Sequence, residues 1–177
     1  NITFGTGSSI VVDGTLNLKL TEDFTVGSNF AKESKGIISC TDSFNLIIDT
    51  DFEGPINFDC TKNVTLENNK TVSFGTIKAN TFTNKGTTTV NSNLSVGTVT
   101  NNGTLTINED SEIKNFSNNG SAIVDDSKTL KITKKFNNGG TFTGKLNLSG
   151  SELEQDIQLA EGGKNSVYET IEIDSSD

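Results

Sequence analysis

The residues whose types could do chemistry are three acidic pairs, Asp49 with Asp51, Glu109 with Asp110 and Asp125 with Asp126, and two cysteines, Cys40 and Cys60. Paired carboxylates can act as general acid and base in glycoside hydrolysis, which needs both acids across one cleft. These pairs are scattered, and the last two follow strand-like segments, where acids are ordinary turn residues. β-Helical polysaccharide lyases use an arginine or lysine base beside acidic or calcium-binding residues, and all 14 basic residues here are lysine. The glycine-rich calcium nonapeptides of some solenoids are missing. With no histidine to complete a ligand set around two cysteines, no metal site is expected. The chain reads as non-enzymatic, with no catalytic residue, no metal and no cofactor.

What positions these residues is a repeat. Four asparagine-glycine corners, Asn84-Lys85-Gly86, Asn101-Asn102-Gly103, Asn118-Asn119-Gly120 and Asn137-Asn138-Gly139, recur with steps of seventeen, seventeen and nineteen residues. A period near twenty marks a solenoid, in which each repeat is one winding stacked on the last. Ile77, Ala79 and Phe82 are followed seventeen residues later by Leu94, Val96 and Val99, and Ile113 and Phe116 continue two of these columns. After each corner comes a second inward pair: Thr88 with Val90, Leu105 with Ile107, Ala122 with Val124. In the first half a twenty-residue shift superposes Leu18, Ile38 and Phe58, then Leu20, Cys40 and Cys60, then Phe24, Phe44 and Val64. Alternation of apolar and polar positions within each line is the signature of strands with one buried face. The expected fold is therefore all-β, a β-solenoid, most simply a right-handed parallel β-helix with coils of about 17–20 residues. Glycine and asparagine, both tolerant of positive φ, would make the corners.

The two cysteines share one column, and successive coils bring equivalent residues to about 4.8 Å, inside the Cα range of a disulfide. Two readings stand: a Cys40–Cys60 disulfide, which would imply an oxidising, extracytoplasmic setting, or two small core residues. The Asn84, Asn101, Asn118 and Asn137 column reads as a structural ladder of stacked amides. Outward on the strands after the corners lie Thr87 with Thr89, Thr104 with Thr106 and Thr141 with Thr143, a candidate surface-binding face interrupted by Ser121 and Ile123. Regular Thr-x-Thr rows are also the arrangement of ice-binding β-helices, although threonine is simply suited to the wet face of a strand.

Composition narrows the function class. Only 31% of the 177 residues are hydrophobic and the formal net charge is −9, a balance that suggests disorder until the columns are seen. A narrow solenoid needs few apolar residues because each coil buries its inward side chains against its neighbours. An acidic chain without arginine lacks the basic footprint of a nucleic-acid binder, and no apolar run is long enough to insert this segment into a membrane. Asn1 opens directly into Ile2-Thr3-Phe4, which suggests a mature product or a piece of a longer protein. Residues 1–150 read as the solenoid, with residues 1–13 as a lead-in strand or a partial coil. Residues 151–177 read as an acidic cap or junction, with a short helix within Glu152–Ala160 and a flexible Asp174–Asp177 end. Sequons such as Asn69-Lys70-Thr71 and Asn102-Gly103-Thr104 arise by chance in a chain this rich in Asn, Ser and Thr.

The stretch Val99-Thr100-Asn101-Asn102-Gly103-Thr104-Leu105-Thr106-Ile107, echoed at Asn118-Asn119-Gly120 and at Asn137-Asn138-Gly139-Gly140-Thr141-Phe142, resembles the repeats in passenger regions of bacterial autotransporters and filamentous-haemagglutinin-like adhesins. That resemblance implies a secreted, surface-displayed rod, a virulence-type adhesin serving attachment, aggregation or biofilm cohesion, with a host or cell-surface glycan or protein, or another copy of itself, as partner. The two cysteines depart from the pattern and leave room for a filament or sheath subunit. No binding residue carries over, because such adhesins share a scaffold and not a site.

Overall fold

The computed structural model describes residues 9–60, 64–153, 159 and 166–174. Fifteen strands and no helix occur among them. In chain order they are β1 (Thr15–Leu18), β2 (Phe24–Val26), β3 (Ile37–Cys40), β4 (Asn45–Ile48), β5 (Phe52–Cys60), β6 (Thr65–Asn68), β7 (Thr71–Asn84) and β8 (Thr87–Val90). There follow β9 (Leu94–Asn101), β10 (Thr104–Ile107), β11 (Ser111–Asn118), β12 (Ser121–Val124), β13 (Thr129–Asn138), β14 (Thr141–Ser149) and β15 (Val167–Asp174). Every pairing between them is parallel, and the chain winds into a β-solenoid of about seven turns. Residues 1–8 of the expected lead-in strand, the expected helix within Glu152–Ala160 except at its first two residues and Leu159, and the last three residues lie outside the described set.

The strands of successive windings form three stacks. The first face runs through β1, β3, the end of β5, the middle of β7, the starts of β9, β11 and β13, and the ends of β14 and β15. The second runs through β2, β4 and β6 and the ends of β7, β9, β11 and β13. The third is built from the starts of β5 and β7, then β8, β10, β12 and the start of β14. Inward side chains alternate with outward ones along each strand, as the pleat requires. The core is one continuous column of Leu, Ile, Val and Phe. Phenylalanine rings meet edge to face within it, Phe58–Phe74 at 5.4 Å, Phe74–Phe82 at 6.1 Å and Phe136–Phe142 at 5.8 Å, the favoured aromatic geometry.

The seventeen-residue columns fall where the sequence puts them: Ile77 pairs with Leu94, Ala79 with Val96 and Phe82 with Val99, and Val96 and Val99 pair onward with Ile113 and Phe116. Earlier coils differ. Thr15 pairs with Ile37, so the first step is twenty-two residues. Leu16, not Leu18, heads the Ile38–Phe58 column, and Leu18, not Leu20, heads the cysteines. Likewise Phe24 pairs with Leu46 and not with Phe44. A slip of two residues keeps every side chain on its own face, so alternation alone cannot distinguish a step of twenty from twenty-two. Coils also vary more than expected, from sixteen residues (Thr65 to Thr81) to twenty-five (Lys145 to Thr170).

The corner glycines overturn one expectation. Positive φ occurs only at Gly144 and Gly150 among the described residues, so the corner glycines Gly86, Gly103, Gly120 and Gly139 are not there to turn the chain left-handed, and at the last corner Gly140, not Gly139, is the residue equivalent to Gly120. Gly86, Gly103, Gly120 and Gly140 stack on one another. A Cβ added to Gly103 would lie within 3.0 Å of the Gly86 carbonyl oxygen, and the same holds for Gly120 on Gly103 and Gly140 on Gly120. Glycine is needed there because two backbones pass too closely for a methyl group.

Cys40 and Cys60 pair directly in register, and their sulfurs are bonded with Cα atoms 4.4 Å apart. Of the two readings the residues allowed, the disulfide holds, and it clasps adjacent coils of the first face.

Candidate binding surface

The conspicuous asparagines point inward. Asn68, Asn84, Asn101, Asn118 and Asn138 form one column of the second face, and all five are fully buried. Asn84 Nδ2 donates to Asn101 Oδ1 at 2.8 Å, Asn101 Nδ2 to Asn118 Oδ1 at 2.7 Å, and Asn118 Nδ2 to Asn138 Oδ1 at 2.7 Å. The second N–H of each reaches a carbonyl of the following coil, Thr104, Ser121 and Thr141 respectively. Buried amides are costly unless both ends are satisfied, and here they are. The ladder starts where Asn68 Nδ2 donates to buried Thr88, whose hydroxyl donates to Asn84 Oδ1. It ends on Tyr168, whose hydroxyl accepts from Asn138 Nδ2 at 3.0 Å and donates to the Leu159 carbonyl. The Tyr168 ring stacks on Phe142 at 5.1 Å. Burial raises the Tyr168 pKa, with hydrogen bonds from Asn138 and Ser166 opposing.

Two members of this ladder differ from the sequence expectation. Asn137 is not in it: Asn137 pairs with Ser117, half-buried and outward, while Asn138 pairs with Asn118. The cause is a bulge in β13, where Ile113 pairs with Ile132 but Asn115 pairs with Lys135, so one extra residue shifts the next asparagine inward. Asn68 belongs to the ladder although the sequence reading passed over it. It lies sixteen residues before Asn84 but is followed by Asn69-Lys70, and the missing glycine hid it.

The acidic residues are bound into the coil-to-coil framework. Asp49 pairs with Lys70 at 3.3 Å, Glu109 with Lys128 at 2.6 Å and Glu112 with Lys131 at 3.1 Å, each joining one coil to the next. Asp51 accepts the Thr71 amide, Asp110 the Thr129 amide and Asp23 the Asn45 amide, so each carboxylate caps the opening of a strand in the following coil. Asp125 folds back on Ser127, and the Asp126 carbonyl accepts from Lys145. A shallow groove of about 390 Å³ crosses the first face beside Asp110, Glu112, Thr129 and Lys131, but its polar groups are already engaged with one another. Among the described residues no group of three His, Cys, Asp or Glu could hold a metal ion, and no helix is long and apolar enough to cross a membrane.

These carboxylate caps carry a pH signature. Hydrogen bonds from the Asn45 side chain and amide hold Asp23 below the usual carboxylate range, Ser127 does the same for Asp125, and Lys114 for Glu152. A folded-state pKa below the unfolded one means the unfolded chain binds protons more readily. Their contribution is complete above the unfolded carboxylate range, about pH 4, and is lost as pH falls through the folded values. The thermal midpoint should therefore fall below about pH 4, and D23A should flatten part of that descent. A midpoint indifferent to pH across this window would contradict it.

The outward side of the third face is different in kind. Its two columns are Thr71, Thr87, Thr104, Ser121 and Thr141, and Ser73, Thr89, Thr106, Ile123 and Thr143. The six threonines expected from the sequence are brought together in register, and Thr71 with Ser73 extends them by a coil; stepping back sixteen residues from Thr87 and Thr89 would have found them. Hydroxyls and methyls thus repeat at about 4.8 Å up the axis and about 6.8 Å along each strand. None of these ten positions is charged, in a chain whose charged residues are 21% of the total. Strand propensity alone does not explain this, because the outward column of the first face carries Asp59, Lys78, Glu112, Lys131 and Glu172, and the second face carries Glu67 and Lys135.

No family model, no curated protein and no solved structure matches this chain.

Proposed function

We propose that this chain is a non-enzymatic extracellular surface module, an adhesin-like rod that holds the third face against a neutral glycan of another cell or matrix. The observation that carries this reading is the uncharged patch of ten outward hydroxyl and methyl side chains spanning five coils of the third face. A repeating polymer that meets a repeating surface gains many weak contacts at once, and the effective concentration of each successive contact multiplies the affinity. Threonine suits this because its methyl covers apolar sugar faces while its hydroxyl both donates and accepts. The Cys40–Cys60 disulfide supports an oxidising compartment. The resemblance of the Asn-x-Gly-Thr repeats to adhesin passengers points the same way.

Immobilised neutral polysaccharides, with acidic ones for comparison, provide the test. The double variant Thr89→Lys with Thr106→Lys places two charges in the middle of the patch at positions that do not face the core. Binding should fall at least tenfold with an unchanged circular dichroism spectrum. Unchanged binding by the variant, or equal capture by every surface including bare matrix, sinks the proposal.

One observation favours a second reading, a subunit of an extracellular filament. Ile173 pairs with Leu148 in an inward column, yet is 63% exposed because no described coil covers it. Among the described residues no strand pairs with the far edge of β15, and such an edge beside an uncovered core column suits end-to-end addition of another copy. Electron microscopy of the same preparations separates the two: ordered fibres favour the filament, dispersed rods the adhesin.

A further inference from the structure

The chain contains three Asn-Gly dipeptides, Asn102-Gly103, Asn119-Gly120 and Asn138-Gly139. Such a pair can react with itself. The glycine amide nitrogen attacks the asparagine Cγ, a C–N bond forms as ammonia leaves, and water opens the resulting succinimide to aspartate or isoaspartate. Glycine permits the approach because it has no Cβ in the way.

The structure sorts the three. Asn138 is fully buried, its Nδ2 donates to Leu159, Ser166 and Tyr168, and its Oδ1 accepts from Asn118 and from the Gly140 amide. Water cannot reach it and its amide cannot rotate. Asn119 is exposed, but its nucleophile is committed: the Gly120 amide donates to the Asn101 carbonyl at 3.0 Å. Its leaving amide is also held, since Asn119 Nδ2 donates to Asn102 Oδ1 at 2.9 Å. That same bond acts in the opposite sense on Asn102. A donor on the side-chain carbonyl oxygen withdraws electrons from Cγ and stabilises the oxyanion that forms when nitrogen adds. Asn102 is exposed as well.

We propose that Asn102 is a self-modification site, losing ammonia by attack of the Gly103 nitrogen with Asn119 as the activating donor. The aspartate product suits its place, because a carboxylate is a better acceptor for Asn119 Nδ2 than the amide it replaces. It also occupies the corner position one coil on from Lys85. The isoaspartate product adds a methylene to the main chain beside Gly103, where the coils are packed most closely, so aspartate should accumulate in the folded protein. This inference is independent of what the third face binds.

The experiment is incubation of the folded chain in mildly alkaline buffer prepared with heavy-oxygen water, followed by peptide mapping. Heavy oxygen should enter at position 102 at least fivefold faster than at 119, with position 138 silent. N119A, which removes the donor from an exposed corner, should slow labelling at 102 by severalfold. N102Q should abolish it there, since glutamine closes a larger ring far more slowly. In denaturant the three sites should converge. Equal labelling at 102 and 119 in the folded protein, labelling led by 138, no effect of N119A, or no labelling at all overturns the proposal.

Discussion

Replacing Asn101 with leucine should destabilise the solenoid by about 2–6 kcal/mol, although leucine is similar in volume and the site is fully buried. The loss comes from the neighbours. Asn84 Nδ2 would lose its acceptor and Asn118 Oδ1 its donor, and Ser121 would lose a hydrogen bond to its carbonyl. Each buried group left unpaired costs about 1–3 kcal/mol, and neither of the two amides, both fully buried, can turn to water. The amides also align head to tail, so each bond polarises the next and a break in the middle weakens both halves. The same substitution at Asn68 should cost only about 1 kcal/mol. Its column continues into Ile48, an apolar neighbour that would welcome leucine. Thr88 and Asn84 keep their bond to each other, and the freed groups of Lys70 lie at the exposed corner. Urea denaturation of both variants checks the ranking. A neutral N101L, or equal losses at the two positions, would mean that the ladder is a passenger of the fold and not one of its supports.

That ladder shows how far the sequence could be read. Two signals coincide from Asn84 to Asn118, the Asn-x-Gly corners and the apolar columns, and together they set those two steps at seventeen residues each. The first half has only the apolar columns, and a period of two is blind to a two-residue slip, so Leu18 was placed where Leu16 belongs. At the last corner Asn-x-Gly alone admits Asn137 or Asn138, but the Thr or Ser that follows the other corner glycines selects Asn138-Gly139-Gly140-Thr141, the register that the extra residue in β13 produces. The corner glycines were recognised but for the wrong reason, since sequence shows which residue turns the chain and not how near the next backbone lies. The uncharged third face was legible as threonine rows. Its contrast with the charged columns of the other faces emerges only when the coils are stacked. The disulfide needed that stacking too, because Cys40 and Cys60 could have shared a column without bonding.

Alanine at Gly103 should be the most damaging of three changes that each add a single methyl group, with a loss of about 3 kcal/mol or more. Its Cβ would be driven against the Gly86 carbonyl oxygen and the Lys85 carbonyl carbon, both main-chain atoms. Neither belongs to a flexible side chain that could swing away. Relief requires the two coils to separate, which would stretch the bond from the Thr104 amide to the Gly86 carbonyl at 2.9 Å and disturb the ladder bond Asn84–Asn101 beside it. Neighbouring coils are the only support each coil has, so a strained interface in mid-rod weakens the array on both sides. Gly97 offers a graded comparison: an added Cβ there lies 2.9 Å from the Asn80 carbonyl oxygen, a main-chain clash but a smaller overlap than at Gly103. At Gly14 nothing lies within 4 Å and φ is not positive, so alanine should change stability by no more than about 0.5 kcal/mol. The thermal midpoints should therefore fall in the order Gly14→Ala, Gly97→Ala, Gly103→Ala, with the last lowest. If Gly103→Ala melted with the native chain, the coils could not be packed backbone on backbone at the corners. The uniform spacing that sets the threonine rows at one pitch would then lose its cause.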